Sequence, residues 1–592
     1  MRRLKYIYII VVATLLLSSC KNDLLDTAPY DKIGSESMWE NENLVDLGVN
    51  GVYNTLRQPM VAKEKWMLDQ DGYVGMDCNR TSWIIGSSTF KSGVINAGDG
   101  LFSKYWKQHY EGIHRANGAI TALEAGVPVT DEKAARLIAE VKFLRAFFYF
   151  GLNQVFKGVP EYLEPVSVEK LTRGRETEEH VWSTIIDDLN ACINEPNLPD
   201  MYQAGDANIG RATKAAAYAL RGKVYLYMKE YTLAEADFRK VGDLGSTLYQ
   251  GNYKELFTQS NEQHPEMIFS VQNIELAGLG SRTQKYCGSR VAFGSNWNSY
   301  LVHPDFVESF ENADGSKFNW DDYLPGYSTM TPTERIVFFL RDNLSAEKVA
   351  DFEAKGANMA LYLPLGNEAR VKAAYDSRDP RLKATVITPY STFKGAAGTS
   401  EYTYTSRWPY IGYDREEPFD LRTDTNNKFY YLWRKWVYEG TSISNREYGP
   451  TDFPLIRYAD VLLMLAEAIN EQKFSQEAVD VVNEVRARAG MALLQTADAS
   501  LPTYVADQIN LRERIRNERR WEFALEGINI FDEMRWGTLK EKKYYEGNGA
   551  KEIWGSVTYQ YSYLGDYINT WAIPRAETER NTNLKQNTGW DD

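Results

Sequence analysis

Two stretches of the 592-residue chain, more than 200 residues apart, carry the same ladder of apolar and small side chains. Tyr218, Gly222, Tyr225, Ala234, Phe238 and Val241 are matched interval for interval by Leu462, Ala466, Ile469, Ala478, Val482 and Val485. Within each set the first three and the last three residues recur at helical spacing, so each set marks the buried stripes of two helices joined by a turn. Gly222, Ala234, Ala466 and Ala478 allow close helix approach, and the larger members fill the seam. A hairpin of this kind is stable only when stacked on others. The matched hairpins are therefore expected to be neighbours in one helical array, with the residues between them forming a large insertion.

The rest of the chain fits that plan. Leu44, Leu47, Val52 and Leu56 predict a helix over 40–56, and two long helices are expected over 101–123 and 131–156. A further amphipathic helix is expected over 180–193. In the second matched hairpin Ser475 is a good N-cap and Gly490 a good C-cap. The fold class that follows is mainly α, a tetratricopeptide-like scaffold (about 40–243 and 453–537) carrying loop-rich insertions with a few short strands. Residues 244–452 are rich in Gly, Pro, Ser, Asn and aromatics; strands are expected at 266–272 and 429–438, and a helix from 371 that stops at the Asp379 to Leu382 motif. Trp433 and Trp436 are read as core. A second loop-rich stretch spans 66–99, and such loops on a rigid scaffold are where binding residues concentrate.

One helix departs from ordinary patterning. From Leu511 its stripe reads Leu511, Ile515, Glu518, Glu522, Leu525, with Arg514, Arg516, Arg519 and Arg520 flanking and Arg535 one loop later. A buried carboxylate is tolerated only when paired and hydrogen-bonded. Glu518, Glu522, Arg519 and Arg535 are therefore assigned to a structural ion-pair network. A general acid and base would need a cleft and separated pKa values, and flanking arginines would hold both carboxylates ionised.

The N-terminus predicts an export signal over 1–19. Arg2, Arg3 and Lys5 precede an apolar run too short to span a membrane, and Leu17, Ser18 and Ser19 lead into Cys20 in the manner of a bacterial lipobox. Cys20 would then be the lipid-bearing first residue of a mature chain over 20–592. A net charge of -14 argues against a nucleic-acid partner. Cys78, Cys192 and Cys287 are odd in number and widely spaced, which is neither a disulfide framework nor a zinc pattern.

Several separated motifs resemble the SusD/RagB family of surface lipoproteins. They are Arg457 to Leu463 with Ala466, Glu467 and Ala468; Asn483 to Gly490; Glu518 to Gly527; Arg535, Trp536 and Gly537; Asp379 to Leu382; and the tail from Ile573 to Asn587. Segments around Trp106 to Asn117 and Lys142 to Ala146 resemble the family's N-terminal signatures. The resemblance implies a lipid-anchored, surface-exposed outer-membrane protein that captures a glycan and delivers it to a SusC-like TonB-dependent transporter. It implies no cofactor. Peptide capture, as in RagB-type members, is the alternative within the fold, and a glycoside hydrolase is the alternative outside it.

Patterns of catalysis are missing. The five histidines have no tight ligand spacing, no nucleophile elbow or P-loop occurs, and the acidic cluster of Asp69, Asp71 and Asp77 lacks a calcium loop's fifth-position ligand. No catalytic or metal-binding residue is assigned. What remains are aromatics among amides and acids: Trp83 beside Asn79, Trp297 and Tyr300 among asparagines and serines, and Trp320 and Tyr323 among Asn319, Asp321 and Asp322. Sugar C–H faces stack on such rings and sugar hydroxyls bond to such polar groups. Trp83, Asn79, Trp297, Tyr300, Trp320 and Tyr323 are the expected ligand-binding residues, with Trp408 and Tyr410 in reserve.

Overall fold

In the computed structural model the described residues are 37–63, 87–292, 296–397, 399–411, 416–423, 428–441, 445 and 447–590. Cys20, Cys78, Asn79 and Trp83 lie outside them. The principal helices of the N-terminal half are α1 (Glu42–Tyr53), α2 (Gly100–Ala125), α3 (Asp131–Phe156), α4 (Glu178–Asn194), α5 (Lys214–Tyr227) and α6 (Tyr231–Asp243). From α2 onward each packs against the next. Their starts follow from local chemistry: the side chains of Thr130, Thr177 and Thr213 accept hydrogen bonds from the amides of Lys133, His180 and Ala216. Each such cap contributes about 1 kcal/mol by satisfying an amide the helix leaves unpaired.

The matched hairpins meet. The helix α7 (Tyr458–Gln472), followed by α8 (Gln476–Ala489), packs directly against α6. Thr232 and Glu235 of α6 hydrogen-bond the Gln472 amide, each at 2.7 Å, and Arg239 reaches Glu477 at 2.7 Å. Close approach inside the hairpin is visible at Gly222, where an added Cβ would come within 2.6 Å of the Phe238 ring. α9 (Gln508–Glu522) crosses α7, and α10 (Asn529–Trp536) follows it. The C-terminal tail returns to the start of the array: the Trp571 amide donates to the Val155 carbonyl at 2.7 Å, and Asn587 Nδ2 to the Phe156 carbonyl at 3.0 Å.

The insertion leaves and rejoins this array through one antiparallel ribbon. Strand β1 (Met267–Val271) pairs with β7 (Phe453–Arg457), in a register running from Met267 opposite Arg457 to Val271 opposite Phe453. Between them, β2 (Val386–Ile387) pairs with β6 (Leu432–Trp433), and β3 (Thr392–Ala397) forms a hairpin with β4 (Ser400–Thr405) that takes on β5 (Phe419–Asp420) in parallel.

Three local expectations change. Only Leu432–Trp433 of the 429–438 segment is strand, because Trp436 adopts a left-handed φ of 63° and turns the chain; both tryptophans are buried. The helix expected from 371 to the Asp379 motif runs Asn367–Asp376, and a second, unexpected helix follows over Pro380–Thr385, since Pro380 disfavours helical geometry at Asp379 and starts a new helix. The stripe through Leu525 ends at Glu522, and Leu525 is buried with φ 59° beyond the helix end.

Candidate functional site

Glu518 and Glu522 are buried, and each meets more than one guanidinium. Glu518 pairs with Arg381 at 2.7 Å and Arg486 at 3.0 Å. Glu522 pairs with Arg488 at 2.6 Å, Arg457 at 3.0 Å and Arg381 at 3.2 Å. The lattice continues through Asp379 on Arg381 (2.7 Å), Glu266 and Glu526 on Arg457 (2.5 and 2.7 Å), and Lys435 on Glu526 (2.6 Å). Burial alone would raise the Glu522 carboxyl, but Arg488, Arg457 and Arg381 outweigh it and hold it far below the usual range. Both carboxylates are buried and committed to ion pairs.

The arginines expected to grip these acids are not the ones that do. Arg519 turns to Asp460 at 2.8 Å and Asp532 at 2.7 Å, while Arg514 pairs with Glu311 and Arg520 with Glu533 at 3.2 Å. Arg535 pairs with Glu467 at 2.5 Å. Helix spacing would let Arg514 meet Glu518 and Arg519 meet Glu522, but tertiary partners take those arginines, and the partners of Glu518 and Glu522 come from elsewhere. They come from the Asp379 to Leu382 turn, the end of β7 and α8. Motifs far apart in sequence meet in one buried lattice.

The aromatic residues separate into two groups. Trp320 is buried, packs against Phe318, Tyr327 and Phe338 with centroids 4.7–5.2 Å away, and donates its Nε1 to Glu308 at 2.9 Å. Tyr300 is also buried. Neither presents a ring face to a ligand, which corrects the expectation for both; their polar neighbours in sequence are loop formers. Asn298, for instance, is buried with φ 51° and donates to the Thr423 carbonyl at 2.7 Å. Tyr323 is half-buried, stacked on Phe318 with its hydroxyl 2.9 Å from Ser377 Oγ.

Trp297 differs. It is 38% exposed, the most open tryptophan among the described residues. Its ring carries Lys285 Nζ 4.4 Å from the centroid and meets Tyr286 edge-on at 5.9 Å. Lys285 is buried, paired with Glu447, and accepts the Trp297 amide at its carbonyl at 2.8 Å. Arg282 lies between the rings of Tyr286 and Tyr448, at 5.1 and 5.9 Å. This is an indole held in place on one side and open on another, beside cationic and phenolic groups. Lys285, Arg282 and Tyr448 were not singled out by sequence, because nothing local distinguishes them. Trp408 and Tyr410, both half-buried, pack on the buried Phe429 and Trp554, the Trp408 ring 5.2–5.6 Å from the other three. Among the described residues no three His, Cys, Asp or Glu side chains are placed to hold a metal ion. No helix among them is long and apolar enough to cross a membrane.

Comparison with known proteins places this architecture. The model of the SusD family matches residues 265–590, more than half of the chain. The chain belongs to the SusD family. A second model, described as starch-binding associating with outer membrane, matches residues 23–226. The starch-binding protein SusD of Bacteroides thetaiotaomicron is 26% identical over 483 residues, covering 78% of this chain and 74% of that one. The SusD-like protein P25 of Formosa agariphila is 24% identical over 548 residues, 90% of each chain. Among solved structures, a SusD-like protein of Bacteroides fragilis superposes with a TM-score of 0.72 at 23% identity, over 95% of this chain and 100% of that one. A laminarin-binding SusD-like protein superposes with a TM-score of 0.62 at 22% identity, over 93% of this chain and all of that one. The motifs that carry the resemblance in sequence are in large part the ones that build the buried lattice, so what they record is the helical junction and not the ligand.

Proposed function

We propose that this SusD-family protein binds a glycan through a surface of its insertion centred on Trp297, and does no chemistry on it. The observation that carries this reading is the pinned, partly open Trp297 indole beside Lys285, Arg282 and Tyr448. It is supported by similarity, over 78% and 93% of this chain, to proteins named as binding starch and laminarin. Trp83 and Asn79 are proposed to join Trp297, with Tyr323 a peripheral member. The protein is further proposed to be held at the outer membrane by lipid on Cys20, exposed at the cell surface, and to pass its ligand to a SusC-like TonB-dependent transporter.

The deciding experiment is a polysaccharide panel that includes starch and laminarin, read by affinity electrophoresis and titration calorimetry, followed by Trp297→Ala. A central aromatic anchor removed should weaken the selected glycan by more than about 2 kcal/mol while the fold stays intact. Unchanged affinity in Trp297→Ala would move the site to Trp408 and Tyr410. Membrane fractionation of Cys20→Ser, which should release the protein, tests the anchor separately.

A further inference from the structure

Trp297 has an exposed ring on a backbone that is fixed from two sides. On one side the amides of Trp297, Asn298 and Ser299 donate to the carbonyls of Lys285, Gly288 and Tyr286, at 2.8, 3.2 and 2.7 Å. These bonds seat the residue against the short helix Thr283–Cys287. On the other side Asn298 reaches away from that helix. Its side chain is fully buried, and Nδ2 donates to the Thr423 carbonyl at 2.7 Å. With φ 51° it stands in the left-handed region, which asparagine tolerates better than most residues with a Cβ.

Thr423 is held in turn. It is buried, and its amide donates to the Tyr410 hydroxyl oxygen at 2.8 Å. Its Oγ1 donates to the Lys428 carbonyl and accepts the Tyr430 amide, both at 3.0 Å. The Tyr410 hydroxyl is therefore the donor in its 2.6 Å contact with Thr423 Oγ1. Oxygen and proton of that hydroxyl are both committed to Thr423. The Tyr410 ring has little left to offer a ligand: Trp408 meets it edge-on at 5.2 Å, Phe429 at 6.2 Å, and the Arg422 guanidinium lies 5.7 Å from its centroid. A buried hydrogen bond is costly to leave unmade, so each link constrains the next.

We propose that Tyr410 is a positioning residue for Trp297. Its hydroxyl fixes Thr423, the Thr423 carbonyl fixes Asn298, and Asn298 fixes the backbone from which the indole projects. Tyr410 lies more than 100 positions from Trp297 in the chain, and the relay ties the two aromatic clusters of the insertion together. A ring ordered in advance gives up less rotamer freedom when a ligand stacks on it. The consequence for affinity rests on the reading of Trp297 as the anchor of a glycan; the relay itself does not.

The test uses the full chain labelled with 5-fluorotryptophan, the Trp297 fluorine resonance being assigned by Trp297→Phe. Tyr410→Phe removes the hydroxyl and keeps the ring, whereas Asn298→Gly removes the tether and keeps the left-handed backbone. Without ligand, Tyr410→Phe should shift or broaden the Trp297 resonance while those of the tryptophans in the helical array stay in place. In the Asn298→Gly background the same change should have no further effect on Trp297. Calorimetry with maltohexaose and laminarihexaose should show each single variant binding about fivefold more weakly than wild type, as for one lost hydrogen bond. The double variant should bind no more weakly than Asn298→Gly. The proposal is overturned if Tyr410→Phe leaves the Trp297 resonance unmoved, even where binding weakens, since Tyr410 would then touch the ligand itself. It is equally overturned if the shift persists in the Asn298→Gly background, or if an oligosaccharide bound by wild type binds Tyr410→Phe as tightly. If neither oligosaccharide binds wild type, the glycan reading of Trp297 loses its support and the fluorine spectra alone decide the relay.

Discussion

Two junctions of this molecule bury carboxylates, and they treat them in opposite ways. At the first, α9 meets the end of β7 and the Arg381 turn, and Glu522 faces three guanidiniums. At the second, the insertion rejoins the array, and Asp452 accepts the Asn273 amide at 2.6 Å while its own amide donates to Glu262 at 3.1 Å. Burial and the Glu262 carboxyl push Asp452 up to about 8, with Arg57 only partly opposing them. Glu522 is the more deeply buried of the two, yet it is the one that stays ionised. The neighbours, and not the depth, set the sign of a buried acid's contribution.

The contrast is broken most forcefully at Glu522. Glu522→Ala removes the carboxylate that Arg381, Arg457 and Arg488 share, leaves buried positive charge in excess, and should lower unfolding free energy by roughly 3–5 kcal/mol in denaturant titration. A wild-type midpoint in that variant would mean that the arginines are solvated and that the lattice is dispensable. Trp320→Ala should lose a similar 3–5 kcal/mol by opening a core cavity.

The pH dependence sharpens the comparison. Glu522, Glu467 and Asp460 are all held below their ordinary values, each against the upward push of burial, by arginine neighbours, with Lys223 also acting on Asp460. Their folded pKa values lie below the unfolded ones, near 4, so their stabilisation is fully present above about pH 4 and is lost as pH falls through the folded values. Asp452 runs the other way. Its folded form holds a proton that the unfolded chain releases from about pH 4, so its contribution falls between pH 4 and 8. Asp452→Asn keeps the acceptor for Asn273, and it should raise stability at pH 7 by on the order of 1–3 kcal/mol and flatten the slope of stability between pH 5 and 8. If the slope is unchanged, Asp452 is ionised in the folded protein. The smallest effect is expected from Trp297→Ala, within about 1 kcal/mol of wild-type stability, since its ring is only partly buried. A large loss there would place Trp297 with Trp320 in the core.

The helical array was legible because its signal is periodic and local. The ladder from Tyr218 to Val241 and its copy from Leu462 to Val485 specify two hairpins, and a shared seam follows from them. The partners of Glu518 and Glu522 were not legible: Arg514 and Arg519 stand at pairing distance along the helix but are drawn off to Glu311, Asp460 and Asp532, and Arg381, Arg457 and Arg488 are brought in by tertiary structure alone. The Asp379 to Leu382 motif is visible in the sequence, but its role in the lattice is not. Trp297 and Trp320 look alike in sequence, each among asparagines or aspartates. What separates them is Phe318, Tyr327 and Phe338 closing over Trp320, and only Phe318 and Tyr327 are near it in the chain. In such a loop-rich segment, polar neighbours report turn formation as readily as ligand contact.

The β1–β7 ribbon also bears on how such a chain can change over time. Because the segment between Val271 and Phe453 begins and ends on paired strands, the array is indifferent to how much chain lies between them. Closing a loop becomes harder by only about 0.6 kcal/mol for each doubling of its length. Residues can be added, removed or replaced beyond the ribbon while α6 still finds α7, as long as Asp379, Arg381 and Lys435, which the insertion contributes to the lattice, are kept. The architecture keeps one frame for docking and leaves an exchangeable cassette for recognition, so that relatives sharing a quarter of their residues can hold the same fold and diverge in what they bind.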